Sequence, residues 1–445
     1  MQAFTPAPQG FLRCRRTAYG VCLLLYKDFQ SVHFLCSTFG SAGDVFPMLG
    51  LALELRKRGH QITFATNAHF EETVRSYGLA FEALGTDEQF KASISHPDLW
   101  HPRRSFPLII SMLTPVFKQQ YQLHADRASS DLIGITNVFG FGALNAQDKL
   151  KIPTLTLHLQ PSVIWSDDAP PTLAGLFGPR WLQSLLYRIG ERCVIDPAVC
   201  PYLNAWRKEL GLSPVRAITR WWNSRYGVLA MFPEWYAPPQ KDWPRPLMQT
   251  DFPLWNHQTS DRMPEEVERF LTAGDAPLVF TPGSANVHGQ AFFEAAVEAC
   301  RVLGRRGILL TGFPEQLPKS LPESILYVKY VPLDLLLPRA AAFVHHGGIG
   351  SASQAILAGI PQLLMPLAHD QFDNVTRVKK LNVGDGLPAT KFTAVRLIEQ
   401  LKRLLGSSEV ALACRATSAR MQERKGLRQA ADAVEDRVLL GDKIP

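Results

Sequence analysis

The sequence lacks the features that mark several large classes of proteins. Its seven cysteines are scattered and form no Cys-x-x-Cys pair, which argues against a disulfide framework or a zinc cluster and favours a reducing compartment. No apolar run approaches the ~20 residues of a membrane-spanning helix. The sequence contains no run of four or more basic residues, which argues against nucleic acid binding. We therefore expect a cytoplasmic protein that binds no nucleic acid.

The length of the chain limits the number of domains, and its charge indicates the kind of ligand. At ~100–200 residues per domain, 445 residues predict two or three domains. Lys and Arg number 47 against 40 acidic residues, and a net charge of +7 suits an anionic ligand or a transient contact with an anionic membrane at its inner face. Residues 1–31 are interpreted as an extension or as the product of an upstream start codon. The alternative is a weak signal peptide, because arginines precede a short apolar segment at 19–26.

Short apolar runs alternate with helical patterns on both sides of a proline-rich connector. Residues 235–246 contain four prolines, so we expect no regular structure there. The pattern predicts an α/β protein with a Rossmann-like domain at 32–250, a connector at about 235–263 and a second such domain at 264–445. A ligand cleft is expected where the carboxyl ends of the strands meet. The predicted strands are 32–36, 61–66, 131–136, 154–159, 226–232, 278–281, 307–311, 325–328, 341–345 and 362–365.

The loop after the predicted strand 341–345 is the most informative segment. Its residues His346, Gly347, Gly348, Gly350 and Ser351 precede a helix predicted over 352–358. Glycines allow close approach of the backbone to a ligand, and a helix start offers free N–H groups, so a diphosphate would fit. Ser351 could also cap the helix. The alternative is an ordinary tight turn with a capping serine.

A carboxylate and an amide follow the next predicted strand. Asp370 and Gln371 come at the start of a helix beside the glycine loop. Both side chains can hydrogen-bond to sugar hydroxyls. The alternative is that Asp370 only caps the helix.

Together these motifs resemble the donor-binding signature of nucleotide-sugar glycosyltransferases of the GT-B type, in family 1. The resemblance implies two Rossmann-like parallel-sheet domains facing across a cleft. It also implies that His346 and the loop amides hold the diphosphate, and that Asp370, Gln371 and Asn374 hold the sugar. The nucleotide sugar is then a co-substrate, and no cofactor is expected.

The resemblance assigns further residues to the nucleotide. Tyr330 stands where the family has a tryptophan that stacks on the base, and Val331 follows it where the family has alanine or valine. Gln354 stands where a glutamate often binds the ribose. Ser284 belongs to a second phosphate-side loop. These departures leave both a uridine and a deoxythymidine donor open.

The amino-terminal motif Gly40-Ser41-Ala42-Gly43-Asp44-Val45-Phe46-Pro47 resembles an element of sterol, glycopeptide and rhamnolipid glycosyltransferases. The resemblance implies that Asp44 is the catalytic base. A helix is predicted from about Phe46, and the alternative role of Asp44 is to cap it. Both roles are compatible.

Beyond these shared motifs, the chain resembles the rhamnolipid rhamnosyltransferases over roughly residues 32–425. The connector and the stretch 368–374 carry this finer resemblance, and His346 departs from it. It favours dTDP-rhamnose over UDP-glucose as donor, a 3-(3-hydroxyalkanoyloxy)alkanoate or another apolar alcohol as acceptor, and an acyltransferase as partner. The apolar stretch 106–113 is interpreted as a core helix or as an acceptor-contacting surface.

The expected reaction is an inverting transfer of a hexose to a hydroxyl group. The sequence contains no Asp-x-Asp pair, so it does not require a bound metal. Three alternatives remain: a sterol or natural-product glycosyltransferase, a sugar-nucleotide 2-epimerase and an inactive binding subunit. A dehydrogenase is disfavoured because the loop at 40–43 lacks the G-x-G-x-x-G spacing.

Overall fold

The computed structural model describes residues 14–16, 22–24, 31–101, 104–172, 179–255 and 262–440. Most of the predicted extension 1–31 lies outside the described residues. Within it, the short strands β1 (Cys14–Arg16) and β2 (Cys22–Leu24) pair in the antiparallel sense.

The amino-terminal domain is built on a seven-stranded parallel sheet. Its strands are β3 (His33–Ser37), β4 (Gln61–Thr66), β5 (Ala80–Ala83), β6 (Leu132–Thr136), β7 (Thr154–His158), β8 (Val228–Ala230) and β9 (Leu247–Gln249). Their spatial order is β5-β4-β3-β6-β7-β8-β9. The central strands are apolar and buried along their length, as expected for a parallel sheet covered by helices on both faces.

The helices of this domain are α1 (Ala42–Lys57), α2 (Glu71–Ser76), α3 (Asp87–Ser95), α4 (Ser105–Asp126), α5 (Phe141–Leu150), α6 (Arg180–Gly190), α7 (Asp196–Glu209) and α8 (Ile218–Trp221). A π-helical turn at Glu191–Ile195 joins α6 to α7. Helix α1 begins at Ala42, earlier than predicted, because Ser41 and Asp44 form a capping box at its start. The prediction that Asp44 is the N-cap is therefore wrong, since Ser41 has that position.

The carboxy-terminal domain is built on a six-stranded parallel sheet. Its strands are β10 (Leu278–Thr281), β11 (Gly307–Leu310), β12 (Ile325–Val328), β13 (Ala342–His345), β14 (Gln362–Leu364) and β15 (Gly384–Gly386), in the spatial order β12-β11-β10-β13-β14-β15. Its helices are α9 (Glu265–Thr272), α10 (Gln290–Leu303), α11 (Leu333–Leu336), α12 (Ile349–Ala358), α13 (Gln371–Lys380), α14 (Ala394–Gly406), α15 (Ser408–Ala419) and α16 (Gly426–Leu440). The predicted pair of parallel sheets is thus present.

The last helix crosses back to the first domain, although the sequence places it in the second. Ala430, Ala431 and Val434 of α16 are fully buried in the amino-terminal core. Glu435 accepts hydrogen bonds from Arg58 at 2.9 Å and from His60 at 3.3 Å. The chain therefore crosses between the domains twice, at the connector and before α16. No helix in the described part of the chain is long and apolar enough to cross a bilayer.

Candidate active site

A cavity of about 1110 Å³ lies between the carboxyl ends of the two sheets. The loops after β3 and β4 line it on one side, and the loops after β10, β13 and β14 line it on the other. Ligand pockets for single small molecules usually measure ~300–1,000 Å³, so this cavity has room for two substrates together. The cleft predicted from the two α/β patterns is present.

Asp44 lies on the amino-terminal wall of the cavity, in the first turn of α1. Its Oδ2 accepts a hydrogen bond from the Ser41 amide at 3.0 Å and lies 3.4 Å from the Ser41 hydroxyl. A Cβ on Gly40, whose φ is +128°, would lie 2.2 Å from the same oxygen, so only glycine leaves room for the carboxylate.

Burial raises the pKa of Asp44 to about 6, and the two Ser41 contacts oppose that shift. Near neutral pH the carboxylate is therefore ionised but more basic than an exposed aspartate. A pKa slightly below the working pH suits a general base.

The glycine loop opens helix α12 on the opposite wall. Gly348 is the N-cap, no side chain caps the helix, and Gly350 and Ser351 line the cavity. The helix begins at Ile349, so the predicted start at 352 with a Ser351 cap is wrong. The Ile349 amide interacts with the Asp370 carboxylate. The amides of Gly350 and Ser351, together with the positive end of the helix dipole, can therefore bind an anion in the cavity.

His346 lies half-buried beside this helix start. Its ring fills the space above two glycines: a Cβ on Gly283 would lie 2.9 Å from its Nδ1, and a Cβ on Gly348 would lie 2.6 Å from its Nε2. Burial lowers the pKa of His346 to about 4, so the imidazole is neutral. Its Nδ1 is buried without a hydrogen-bond partner among the described residues. The ring can therefore offer one N–H to a ligand.

The neighbouring His345 and Gly347 have internal partners instead. His345 accepts from the Gly347 amide at 3.1 Å through Nδ1, and its Nε2 lies 3.0 Å from Gln362 Oε1. The predicted phosphate contact by the Gly347 amide conflicts with this bond. Gly347 has a φ of +93° and shapes the turn. The amides beyond it, at the start of α12, remain candidates for the phosphate.

Asp370 and Gln371 line the cavity at the start of α13. Asp370 is the N-cap residue, but its side chain does not cap the helix. Burial raises the pKa of Asp370 to about 7, Asn374 opposes the shift, and the negative charge of Asp44 across the cleft adds to it. Both carboxylates line the same cavity. Gln371 Oε1 accepts from the amides of Leu367 and Ala368, which leaves its NH₂ group to donate.

Asn374 is fully buried and does not line the cavity. Its amide group donates to Asp370 Oδ2 at 2.7 Å and to the Gly347 carbonyl at 2.9 Å. Its Oδ1 accepts from the Tyr236 hydroxyl at 2.9 Å. The geometry thus conflicts with the predicted direct sugar contact, and Asn374 instead positions Asp370 against the glycine loop.

The residues predicted to bind the nucleoside, Tyr330, Val331 and Gln354, line the cavity. Ser284, predicted to contact the diphosphate from the second phosphate-side loop, lines it too. Tyr330 is 45% exposed, so its ring is accessible to a stacking base. No group of three or more metal-ligating side chains occurs among the described residues.

The acceptor side of the cavity is apolar, and most of its wall could not be identified from the sequence. Helix α4 contributes part of the stretch 106–113, so the core-helix interpretation of that stretch is incomplete. The other contributors come from separate segments of the amino-terminal domain. The apolar lining residues are Phe39, Phe90, Ile94, Leu99, Trp100, Phe106, Ile109, Met112, Leu113, Val116, Val138, Phe139, Val163, Trp165, Leu186, Val194, Ile195 and Trp222.

Charged groups are few around this wall. Lys329 is the one lysine or arginine among the described lining residues, and it lies at the nucleoside end next to Tyr330. Glu191 lies on the acceptor side. The acceptor end therefore presents no cationic side chain from the described part of the chain.

Two family models match the chain, one in each domain. The glycosyltransferase family 28 N-terminal domain matches residues 34–155. The C-terminal domain of erythromycin biosynthesis protein CIII-like proteins matches residues 310–434. The first match contains Asp44, and the second contains the glycine loop and Asp370.

Curated relatives are similar over most of the chain. A sterol 3-beta-glucosyltransferase of Arabidopsis thaliana is 28% identical over 384 residues, which cover 82% of this chain and 59% of that protein. An O-mycaminosyltylonolide 6-deoxyallosyltransferase of Streptomyces fradiae is 27% identical over 415 residues, which cover 90% of this chain and 96% of that protein. The chain thus spans less than two thirds of the sterol enzyme and nearly all of the macrolide enzyme.

Solved structures share the fold. The kitacinnamycin glycosyltransferase superposes with a TM-score of 0.70 at 18% identity and covers 94% of this chain and all of its own. A spinosyn rhamnosyltransferase complexed with thymidine diphosphate superposes with a TM-score of 0.64 at 18% identity, and the match covers 92% of this chain and 100% of that structure. The predicted GT-B fold, with two Rossmann-like parallel-sheet domains, is confirmed. Sterol and macrolide glycosyltransferases are among the proteins to which the chain is similar. The finer likeness to rhamnolipid enzymes stays a prediction.

Proposed function

We propose that the protein transfers a hexose from a nucleoside-diphosphate sugar to the hydroxyl of a bulky apolar acceptor, with inversion at the anomeric carbon. The observation that carries the proposal is the single cavity shared by Asp44, the start of α12 and the apolar wall. A general base, an anion cradle and an apolar pocket around one space are what such a transfer needs.

In the proposed step the acceptor oxygen attacks the anomeric carbon while its proton passes to Asp44. The bond between the anomeric carbon and the diphosphate oxygen breaks, and the electron pair leaves with the diphosphate. The amides at the start of α12 and the neutral imidazole of His346 donate hydrogen bonds to the oxygens where negative charge develops. Donors fixed in place before the reaction are commonly the largest contribution to catalysis.

The sugar would lie between the two walls. Asp370, held by Asn374, accepts hydrogen bonds from sugar hydroxyls, and the NH₂ group of Gln371 donates to them. Tyr330 stacks on the base and Ser284 contacts the diphosphate from the loop after β10. No step in this proposal uses a bound metal, so activity should survive addition of EDTA.

We favour dTDP-rhamnose as donor and keep UDP-glucose as the second candidate. Two observations support a deoxythymidine nucleotide: a spinosyn rhamnosyltransferase of the same fold binds thymidine diphosphate, and Gln354 replaces the acidic ribose ligand expected for uridine donors. The relatives named sterol 3-beta-glucosyltransferases support glucose as the transferred sugar, which is why UDP-glucose stays as the second candidate.

For the acceptor we favour a neutral alcohol, sterol-like or macrolide-like in bulk, over a 3-(3-hydroxyalkanoyloxy)alkanoate. A carboxylate buried without a cationic partner is costly, and the described acceptor wall carries Glu191 and no lysine or arginine. The acyltransferase partner belongs to the hydroxyalkanoate alternative, and it becomes unnecessary with a neutral acceptor.

The experiment is to incubate the purified protein with each donor and three acceptors: a sterol, a macrolide aglycone and a hydroxyalkanoyloxyalkanoate. Mass spectrometry then detects the products. We expect one hexose joined to a neutral acceptor and one nucleoside diphosphate released per turnover. An isomerised sugar nucleotide formed without acceptor would identify an epimerase, and donor binding without any turnover would identify a binding subunit. Either result would refute the proposal.

A further inference from the structure

Helix α6 carries apolar side chains on its outer face, where a soluble helix normally carries polar ones. Trp181, Leu185 and Ile189 recur every four residues, so they lie on one side of the helix. They are 69%, 48% and 49% exposed, and Val194 in the following π-helical turn is 49% exposed. We call these four residues the outer apolar face.

The other side of the same helix lines the cavity. Leu186 and Tyr187 belong to the cavity wall, and Tyr187 packs edge-on against Trp165 with ring centroids 4.2 Å apart. Val194 is both exposed and part of the cavity lining. Val194 therefore connects the outer apolar face to the wall of the proposed acceptor pocket.

Two arginines, Arg188 and Arg192, belong to the same helical segment as the outer apolar face. Arg192 is exposed and forms no ion pair with another described residue. Arg188 donates to both carboxylate oxygens of Asp167, and Arg220 lies 3.9 Å from that carboxylate. Exposed apolar residues on one helix face with arginines beside them are typical of helices that lie in a membrane interface, where tryptophan is enriched.

We propose that the outer apolar face docks on the surface of a lipid bilayer that contains anionic lipids. Docking would place the mouth of the cavity against the hydrocarbon, so that an apolar alcohol enters from the bilayer without crossing water. Docking itself rests on the exposed residues alone, whereas delivery of the acceptor also rests on the proposed function. A second copy of the chain and a protein partner are the competing occupants of this face.

The first test is flotation of the full chain with vesicles of phosphatidylcholine and phosphatidylglycerol. The double variant Trp181→Glu/Ile189→Glu should lower the vesicle-bound fraction by about tenfold or more, because it puts two charges where apolar groups would enter the interface. The matched control is Val395→Glu/Leu412→Glu, which changes two exposed apolar residues of the other domain, 66% and 59% exposed, and lowers the net charge equally. The control should retain binding, and circular dichroism should show both variants folded.

The second test compares acceptor supplied in those vesicles with acceptor dispersed in detergent. The Trp181→Glu/Ile189→Glu variant should transfer sugar at the normal rate in detergent and about tenfold more slowly from vesicles, since only the second route needs docking. Flotation does not depend on turnover, so a failed transfer assay would refute the proposed function without refuting docking.

Three results would overturn the docking proposal. The wild-type protein could fail to float with either neutral or anionic vesicles. The Trp181→Glu/Ile189→Glu variant could bind vesicles as well as the Val395→Glu/Leu412→Glu control. Finally, the protein could form a dimer in solution that the Trp181→Glu/Ile189→Glu change dissociates, which would assign the outer apolar face to a second copy.

Discussion

Replacing Asp44 by asparagine separates the two roles of this side chain. The asparagine side chain has nearly the same shape, and its oxygen can still accept from the Ser41 amide, which lies 3.0 Å from the carboxylate, so helix α1 should keep its start. The variant cannot take a proton near neutral pH. General-base catalysis contributes about 10²–10⁴-fold, so we expect kcat to fall by that factor.

The size of the structural effect is small by comparison. Losing the charge at the start of α1 removes about 0.3–1 kcal/mol of interaction with the helix dipole. That loss corresponds to a shift in Tm of a few degrees at most. Isothermal titration calorimetry should give a donor Kd within about threefold of wild type, since Asp44 faces the acceptor hydroxyl in our scheme.

The control is Ser41→Ala, which keeps the carboxylate and removes the capping hydroxyl. It should cost about 1 kcal/mol of stability. Because the Ser41 side chain lowers the pKa of Asp44, its removal should also move the ascending limb of the pH–rate profile upward. If Asp44→Asn kept kcat within about threefold of wild type, or if it lost donor binding together with turnover, the assignment of Asp44 as general base would be refuted.

Three further predictions concern the donor side and the fold. Activity should rise with pH through about 6 to 7, because Asp44 and Asp370 must both be ionised and burial raises their pKa values to about 6 and about 7. In the Asp370→Asn variant, a series of kcat/KM measurements against pH should show only the rise near pH 6, which belongs to Asp44. Gly348→Ala would place a methyl group 2.6 Å from His346 Nε2 and displace that ring. The donor Kd should rise by about tenfold (~1.4 kcal/mol) while Tm changes little. An unchanged Kd by calorimetry would contradict the proposed diphosphate site at the start of α12. Glu435→Ala leaves the buried His60 and the half-buried Arg58 without this carboxylate and should lower stability by about 2 kcal/mol in a denaturant titration. No loss would show that α16 does not tie the domains together.

The sequence predicts the sheets well because their central strands are buried on both faces. All ten predicted strands are present, and their ends differ by one or two residues in most cases. The strands that sequence reasoning misses are short or lie at sheet edges, such as β5, β9 and β15, whose apolar patterns are too brief to detect. The predicted helix starts lie too late because the caps at Ser41 and Gly348 precede the apolar periodicity.

Motifs in the sequence reveal part of the candidate site, and the rest depends on the fold. Motifs place Asp44, His346, Asp370 and Gln371 at the ends of strands, and the fold then brings them to one cavity. A motif does not reveal whether a polar group faces the ligand or a neighbour, which is why the motifs alone assign direct contacts to Gly347 and Asn374. The acceptor wall draws on side chains scattered through the amino-terminal domain, and no local pattern connects them.

The most direct test of the account is a crystal structure of the protein with thymidine diphosphate and a neutral acceptor. We expect the diphosphate oxygens within about 3 Å of the amides at the start of α12 and of His346, and the acceptor hydroxyl within about 3 Å of the Asp44 carboxylate. A diphosphate bound away from the glycine loop, or an acceptor bound outside the cavity that Asp44 lines, would contradict it.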